Sequence, residues 1–189
     1  LTSITIPNKI GTISKRAFYV PSLLELEQEL EPRSNLNSRV LPLTVGFIEE
    51  EAFYECSGLI SVMIPDSVTT IGDEAFYGCR ALNSVNIPNS VTSVGKRVFA
   101  GCKNLHTIQL PSKMTSIRDE IFGDFVGLAS LVIPESITSI GKMAFSGCEN
   151  LTSITIPNTV TSIGEGAFNG CSSLTTIVLP KSVKFICGG

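Results

Sequence analysis

One histidine, no tryptophan and charge on only 16% of residues leave little from which to build a catalytic centre. Any imidazole-based acid, base or triad chemistry rests on His106 alone. Cys102 lies four residues before it, but on a column of the pattern that reads as inward, so no Cys/His nucleophilic pair is expected. Asp and Glu recur at wide intervals instead of converging, and the glycines come singly and not as a phosphate-cradling loop. The six cysteines show no CxxC spacing of a metal motif. The expectation is therefore no enzyme activity, no cofactor and no metal. A net charge of −3 gives no electrostatic reason to expect nucleic acid or an anionic membrane as partner. No apolar run nears the roughly 18 to 20 residues of a transmembrane helix, so this segment is not expected to insert directly in a membrane.

What the chain does have is a 23-residue phrase, plainest as LTSITIPNTVTSIGEGAFNGCSS from Leu151 to Ser173. Full copies start at Leu1, Leu36, Leu59, Leu82, Leu105, Leu128 and Leu151, with a partial copy from Leu174. Pro fills the seventh position of every copy, from Pro7 and Pro42 to Pro157 and Pro180. Phe fills the eighteenth of every full copy: Phe18, Phe53, Phe76, Phe99, Phe122, Phe145 and Phe168. A period of this length marks a solenoid, because one copy cannot bury its own apolar residues and must stack on the next.

Within the copy at Leu151, Ile154 and Ile156 alternate with Ser153 and Thr155, the period-2 pattern of a short strand with one buried face. Pro157, lacking an N–H for the ladder, ends it. Val160 and Ile163 supply inward contacts on an extended return segment. The run EGAFNGC, closed by Gly170, fits a single helical or 3₁₀ turn on the outer wall. Coils stacked at strand spacing, ~4.8 Å each, make one parallel sheet on the inner wall.

The phrase LxxIxIPxxVxxIGxxAFxGCxx resembles the BspA-like (Treponema pallidum-type) leucine-rich repeat family over all but about a dozen residues. The resemblance implies an α/β fold: a right-handed, curved solenoid with a parallel sheet on the concave face and short helical or 3₁₀ turns on the convex face. Residues 1–189 then form a single leucine-rich repeat domain with an irregular insertion at 24–35. The chain starts on the first repeat position and stops mid-copy at Cys187, Gly188 and Gly189, so a segment of a longer protein is expected. Members of the family are mostly surface or secreted proteins of bacteria and protists implicated in adhesion. The resemblance thus implies a non-catalytic protein-binding module, cell-surface or extracellular, whose partner is an extracellular-matrix or host-surface protein. A structural spacer without its own ligand is the alternative, and an ice-binding solenoid, suggested by Ser/Thr ladders such as Thr152, Ser153 and Thr155, a remote one.

If binding occurs on the concave sheet, its outward residues are the second, third and fifth of each copy. The third is Ser or Thr throughout. The individual residues cluster in the middle: Ile60, Met63, Asn83, Asn86, His106, Gln109 and Val132. They are uncharged apolar and amide groups beside one histidine, and are the expected protein contact.

The insertion carries all the net charge, since Glu25, Glu27, Glu29 and Glu31 against Arg33 give −3 while the remaining 13 acids and 13 bases cancel. Ser22 and Glu25 fit a capping box and Leu23, Leu26 and Leu30 fall on one side of a helix that Pro32 ends, though Leu/Glu alternation also permits a strand. The segment reads either as a degenerate copy folded onto the wall or as an acidic docking element. Arg39 occupies an inward strand position where a charge must snorkel or find a partner.

At positions fifteen and sixteen, opposite charges face each other across most coil boundaries: Lys15 and Arg16, Glu50 and Glu51, Asp73 and Glu74, Lys96 and Arg97, Asp119 and Glu120, Lys142, Glu165. The boundary between Glu50/Glu51 and Asp73/Glu74 is the like-charged exception. Cys56, Cys79, Cys102, Cys148 and Cys171 hold position twenty-one, with Phe125 in that slot in the copy at Leu105. Parallel stacking keeps neighbouring Cβ atoms near ~4.8 Å, wider than the ~3.8 Å of a disulfide, so reduced, buried thiols are expected. Cys187 is the cysteine expected to be exposed. Asn150, Leu151 and Thr152 form a glycosylation sequon within the repeat consensus.

Overall fold

The computed structural model describes residues 11–15, 17, 38–40 and 45–186. Each repeat makes one turn of a solenoid carrying up to two short strands. A first series lies at positions three to five: β2 (Ser38–Val40), β4 (Ser61–Met63), β6 (Ser84–Asn86), β9 (Ser130–Val132) and β11 (Ser153–Thr155). A second lies at positions twelve and thirteen: β1 (Thr12–Ile13), β3 (Phe47–Ile48), β5 (Thr70–Ile71), β7 (Ser93–Val94), β8 (Ser116–Ile117), β10 (Ser139–Ile140), β12 (Ser162–Ile163) and β13 (Phe185–Ile186). All pairings are parallel, and the register follows the sequence period, as in Val62 opposite Val85 and Ile71 opposite Val94. The second series lies on the extended return segment expected from sequence, with Val160 and Ile163 buried as read there.

Between the two strands of a coil the chain turns at the proline column. Val68 N donates to Pro65 O at 3.0 Å, and Val160 N to Pro157 O at 3.1 Å. Pro stands at the first residue of each turn, where its carbonyl accepts the closing hydrogen bond and its missing N–H ends the strand ladder.

The outer arc corrects the expected α/β class. Among the described residues there is no helix, α or 3₁₀. Alternate N–H groups of the arc leave the coil: Tyr54 N donates to Glu51 O and Cys56 N to Phe53 O, but Phe53 N donates to Ala75 O and Glu55 N to Tyr77 O in the next repeat. A 3₁₀ helix needs every N–H to bond three residues back. The backbone also turns left-handed at position sixteen of every described arc, at Glu51, Glu74, Arg97, Glu120, Met143 and Gly166. Left-handed φ costs an L-residue roughly 1 to 2 kcal/mol, which the inter-coil hydrogen bonds offset here.

The core runs along the stack as columns, from Leu59 to Leu151 at position one and from Val45 to Val160 at position ten, both at most 1% exposed except Met114 at 3%. Phe53, Phe76, Phe99, Phe122 and Phe145 are at most 1% exposed, and rings stack from Phe53 to Phe99 and again from Phe122 to Phe145, Phe53 on Phe76 with centroids 5.0 Å apart. Cys56, Cys79, Cys102 and Cys148 are buried, as expected, with free thiols at Cys79, Cys102 and Cys148, while Cys171 is free and only half-buried.

Charges across boundaries pair as their order predicts. Lys15 Nζ meets Glu50 at 3.0 Å and Lys142 Nζ meets Glu165 at 2.8 Å. These pairs are half-exposed and screened by solvent, so each adds little to stability. The like-charged boundary is closed by backbone, Glu51 N donating to Asp73 O. The 24–35 insertion, with Glu25, Glu27, Glu29 and Glu31, and the side chain of Arg39 lie outside the described residues, as does Cys187.

Candidate functional site

Strand alternation fixes which side chains face outward on the first series. In β4, Val62 points to the core at 4% exposure while Met63 beside it is 60% exposed. Val132 of β9 is 78% exposed and Ile60, just before β4, is 39%. Asn83, Asn86, His106 and Gln109 are also exposed, so all seven residues singled out from sequence are open to solvent. The parallel register sets Met63 beside Asn86, and Val132 beside Thr155. Residues 107–109, which carry Gln109, are not part of a strand.

His106 is fixed by the following turn, its Nδ1 lying 3.0 Å from Gly127 O. A carbonyl oxygen only accepts, so Nδ1 carries the proton. The Cys102 thiol is fully buried, and burial pushes it up to about 12, so it stays protonated at neutral pH. Among the described residues no group of three His, Cys, Asp or Glu side chains is placed to hold a metal ion, and no helix is long and apolar enough to cross a membrane.

Sequence reasoning missed several exposed features. Phe47 and Phe185, 51% and 68% exposed, stand in the position-twelve column that is otherwise Ser or Thr, and that substitution was the signal. Tyr54 and Tyr77 stack on the outer arc with centroids 4.7 Å apart, and the Arg97 guanidinium lies 5.7 Å from the Tyr77 centroid. Their repeat spacing was visible too, but stacking uses the ring faces internally. A cleft of about 360 Å³ opens near Lys96, Ser116, Arg118 and Asp119. The Asn150 side-chain amide of the sequon donates to Val126 O at 2.7 Å, so its nitrogen is engaged within the fold.

The model of the BspA type leucine rich repeat region matches in six copies, over residues 1–32, 25–149 and 115–188. No curated protein matches the chain. Among solved structures it is similar to a leucine-rich repeat protein from Bacteroides ovatus, with 27% identity and a TM-score of 0.68 over 95% of this chain and 49% of that one. A leucine-rich repeat protein from Eubacterium ventriosum is 30% identical with a TM-score of 0.71, covering 79% of this chain and 41% of that one. The leucine rich repeat protein of T. pallidum is 29% identical, TM-score 0.57, covering 72% of this chain and 77% of that one. The chain thus spans about half or less of the length of the first two.

Proposed function

This chain belongs to the BspA-type leucine-rich repeat family, and from that premise we propose that it is a non-catalytic protein-binding module of a cell-surface or secreted protein. The observation that carries the reading is the exposed face of the first strand series. Ile60, Met63 and Val132 there expose apolar surface, and Asn83, Asn86, His106 and Gln109 place amide and imidazole groups among them. Such a mixture, depleted of charge, is what the centre of a protein–protein interface contains. The parallel ladders of β4 with β6 and of β9 with β11 pre-order Met63, Asn86 and Val132, so little conformational entropy is lost there on contact. The partner proposed is an extracellular-matrix or host-surface protein met through this concave side. The ice-binding alternative fits poorly, because Met63 and Val132 interrupt the hydroxyl rows it requires.

The test is binding of the folded chain to a panel of extracellular-matrix and cell-surface proteins, beside Met63→Asp/Gln109→Lys with folding checked by circular dichroism. Binding by the parent and not by the variant supports the module. Failure of both to bind any member leaves the structural spacer as the better account.

A further inference from the structure

We propose that the boundary between the coils starting at Leu82 and Leu105 is a built-in seam, at which the solenoid opens and bends as two separately knitted blocks, residues 45–104 and 105–186. At regular boundaries the second strand series is sewn on both sides: Thr92 N donates to Thr69 O at 3.0 Å and Gly95 N to Ile71 O at 2.8 Å, and further on Thr138 N donates to Thr115 O at 2.9 Å and Gly141 N to Ile117 O at 2.7 Å. At the Leu82/Leu105 boundary the corresponding donors, Thr115 N and Arg118 N, make no backbone hydrogen bond to the preceding coil. β7 and β8 are accordingly the edges of two different four-stranded sheets. The first series breaks at the same place, since β6 pairs only with β4 and residues 107–109 form no strand.

The outer arc crosses the boundary out of step. Elsewhere position sixteen donates to position fifteen of the next coil, as Glu74 N does to Lys96 O, but Arg97 N donates to Glu120 O, one residue on. Gly101 N likewise reaches Asp124 O where Gly78 N reaches Ala100 O. Phe99 packs on Phe125 at 5.7 Å, tilted by 35°, instead of continuing the parallel stack it makes with Phe76 at 6°. What bridges the seam at the surface is polar: Arg97 Nη2 to Asp124 Oδ2 at 2.8 Å and Ser112 N to Asn89 Oδ1 at 2.9 Å. The cleft lies over this gap, with Val94, Gly95 and Lys96 on one side and Ser116, Ile117 and Arg118 on the other.

The copy at Leu105 explains the break. Position fourteen is Gly72, Gly95, Gly141 and Gly164 at well-knitted boundaries, and a Cβ on Gly95 would sit 2.4 Å from Asp73 N. The copy at Leu105 has Arg118 there instead. It also has Phe125 for the cysteine whose thiol elsewhere donates to the preceding coil, and Val98 and Ile121 are successive members of a column that is alanine at Ala52, Ala75, Ala144 and Ala167. A side chain at position fourteen is not sufficient alone, since Glu49 holds that place and Glu49 N still donates to Ile13 O at 2.9 Å. Arginine, the larger column residues and the ring together keep the coils from closing. In a stack whose stability is a sum of unit and nearest-neighbour terms, one weak interface lets the flanking blocks open separately.

Native-state hydrogen exchange in low urea tests this. In the parent, Thr115 and Arg118 amides should exchange at least about tenfold faster than Thr138 and Gly141, and the two blocks should follow separate urea dependences. Arg118→Gly/Phe125→Cys should slow the first pair by a similar factor and merge the two dependences. A single urea dependence for both blocks in the parent, or Thr115 and Arg118 as protected as Thr138 and Gly141, overturns the seam. The parent comparison decides the matter even where the double variant does not fold.

Discussion

The Cys102 thiol donates to the carbonyl oxygen of Phe76, 3.2 Å away in the preceding coil. The same contact at the same length joins Cys79 to Phe53, Cys148 to Phe122 and Cys171 to Phe145. The cysteine column therefore links coils as well as filling space. Cys102→Ala removes both the sulfur's packing and this donor, and should cost about 1 to 2 kcal/mol in urea unfolding. A loss under about 0.5 kcal/mol would show the thiols to be passive filler.

Burial lifts the Cys102 thiol from its ordinary 9.0 to about 12, and raises Cys79 and Cys148 as well. A group raised in the folded state contributes stability that is complete below its unfolded value and is lost as pH climbs towards the folded one. Stability should thus fall between pH 9 and 12, by up to about 1.4 kcal/mol per pH unit for each thiol. Urea midpoints measured across this window should drop steeply in the parent and less in Cys102→Ala. Parallel curves for the two proteins would remove the thiols from the explanation.

Phe99 is 0% exposed and its ring stacks on Phe76 at 5.7 Å. Phe99→Ala leaves a cavity in a column that neighbouring coils share, and should cost roughly 3 to 5 kcal/mol. A loss below about 1 kcal/mol in denaturant unfolding would contradict a buried ring column.

At Gly141 a Cβ would lie 2.6 Å from Asp119 N and 2.5 Å from Asp119 Oδ1. Gly141→Ala should therefore force the coils apart and cost about 1 to 3 kcal/mol, as overpacking does. At Gly11, by contrast, an added Cβ meets nothing within 4 Å among the described residues, so Gly11→Ala should leave the thermal midpoint nearly unchanged. Equal shifts for the two variants would mean that close coil approach is not what requires glycine.

The stacking architecture was legible because columns such as Phe53 to Phe145 and Leu59 to Leu151 are set by the period, and burial follows from it. Outward residues were legible for the same reason: alternation places Met63 opposite in sense to Val62. The outer arc was not, because hydrogen bonds to the next coil decide its conformation and local sequence carries only a weak mark of them. Of the left-handed positions at sixteen, only Gly166 announces itself by residue type. Arg118 and Phe125 were visible departures, yet their effect depends on how closely Gly95 and Gly141 let neighbouring coils approach.

The most direct test of the proposed function is titration of a partner found in the panel against three forms of the chain. These are the parent, Met63→Asp/Gln109→Lys, and a control, Arg80→Glu/Lys103→Glu, whose exposed residues lie outside the first strand series. The face reading predicts affinity at least about tenfold weaker for the first variant and within about twofold of the parent for the control. Unchanged affinity in the first variant, or an equal loss in both, would contradict recognition through the first strand series.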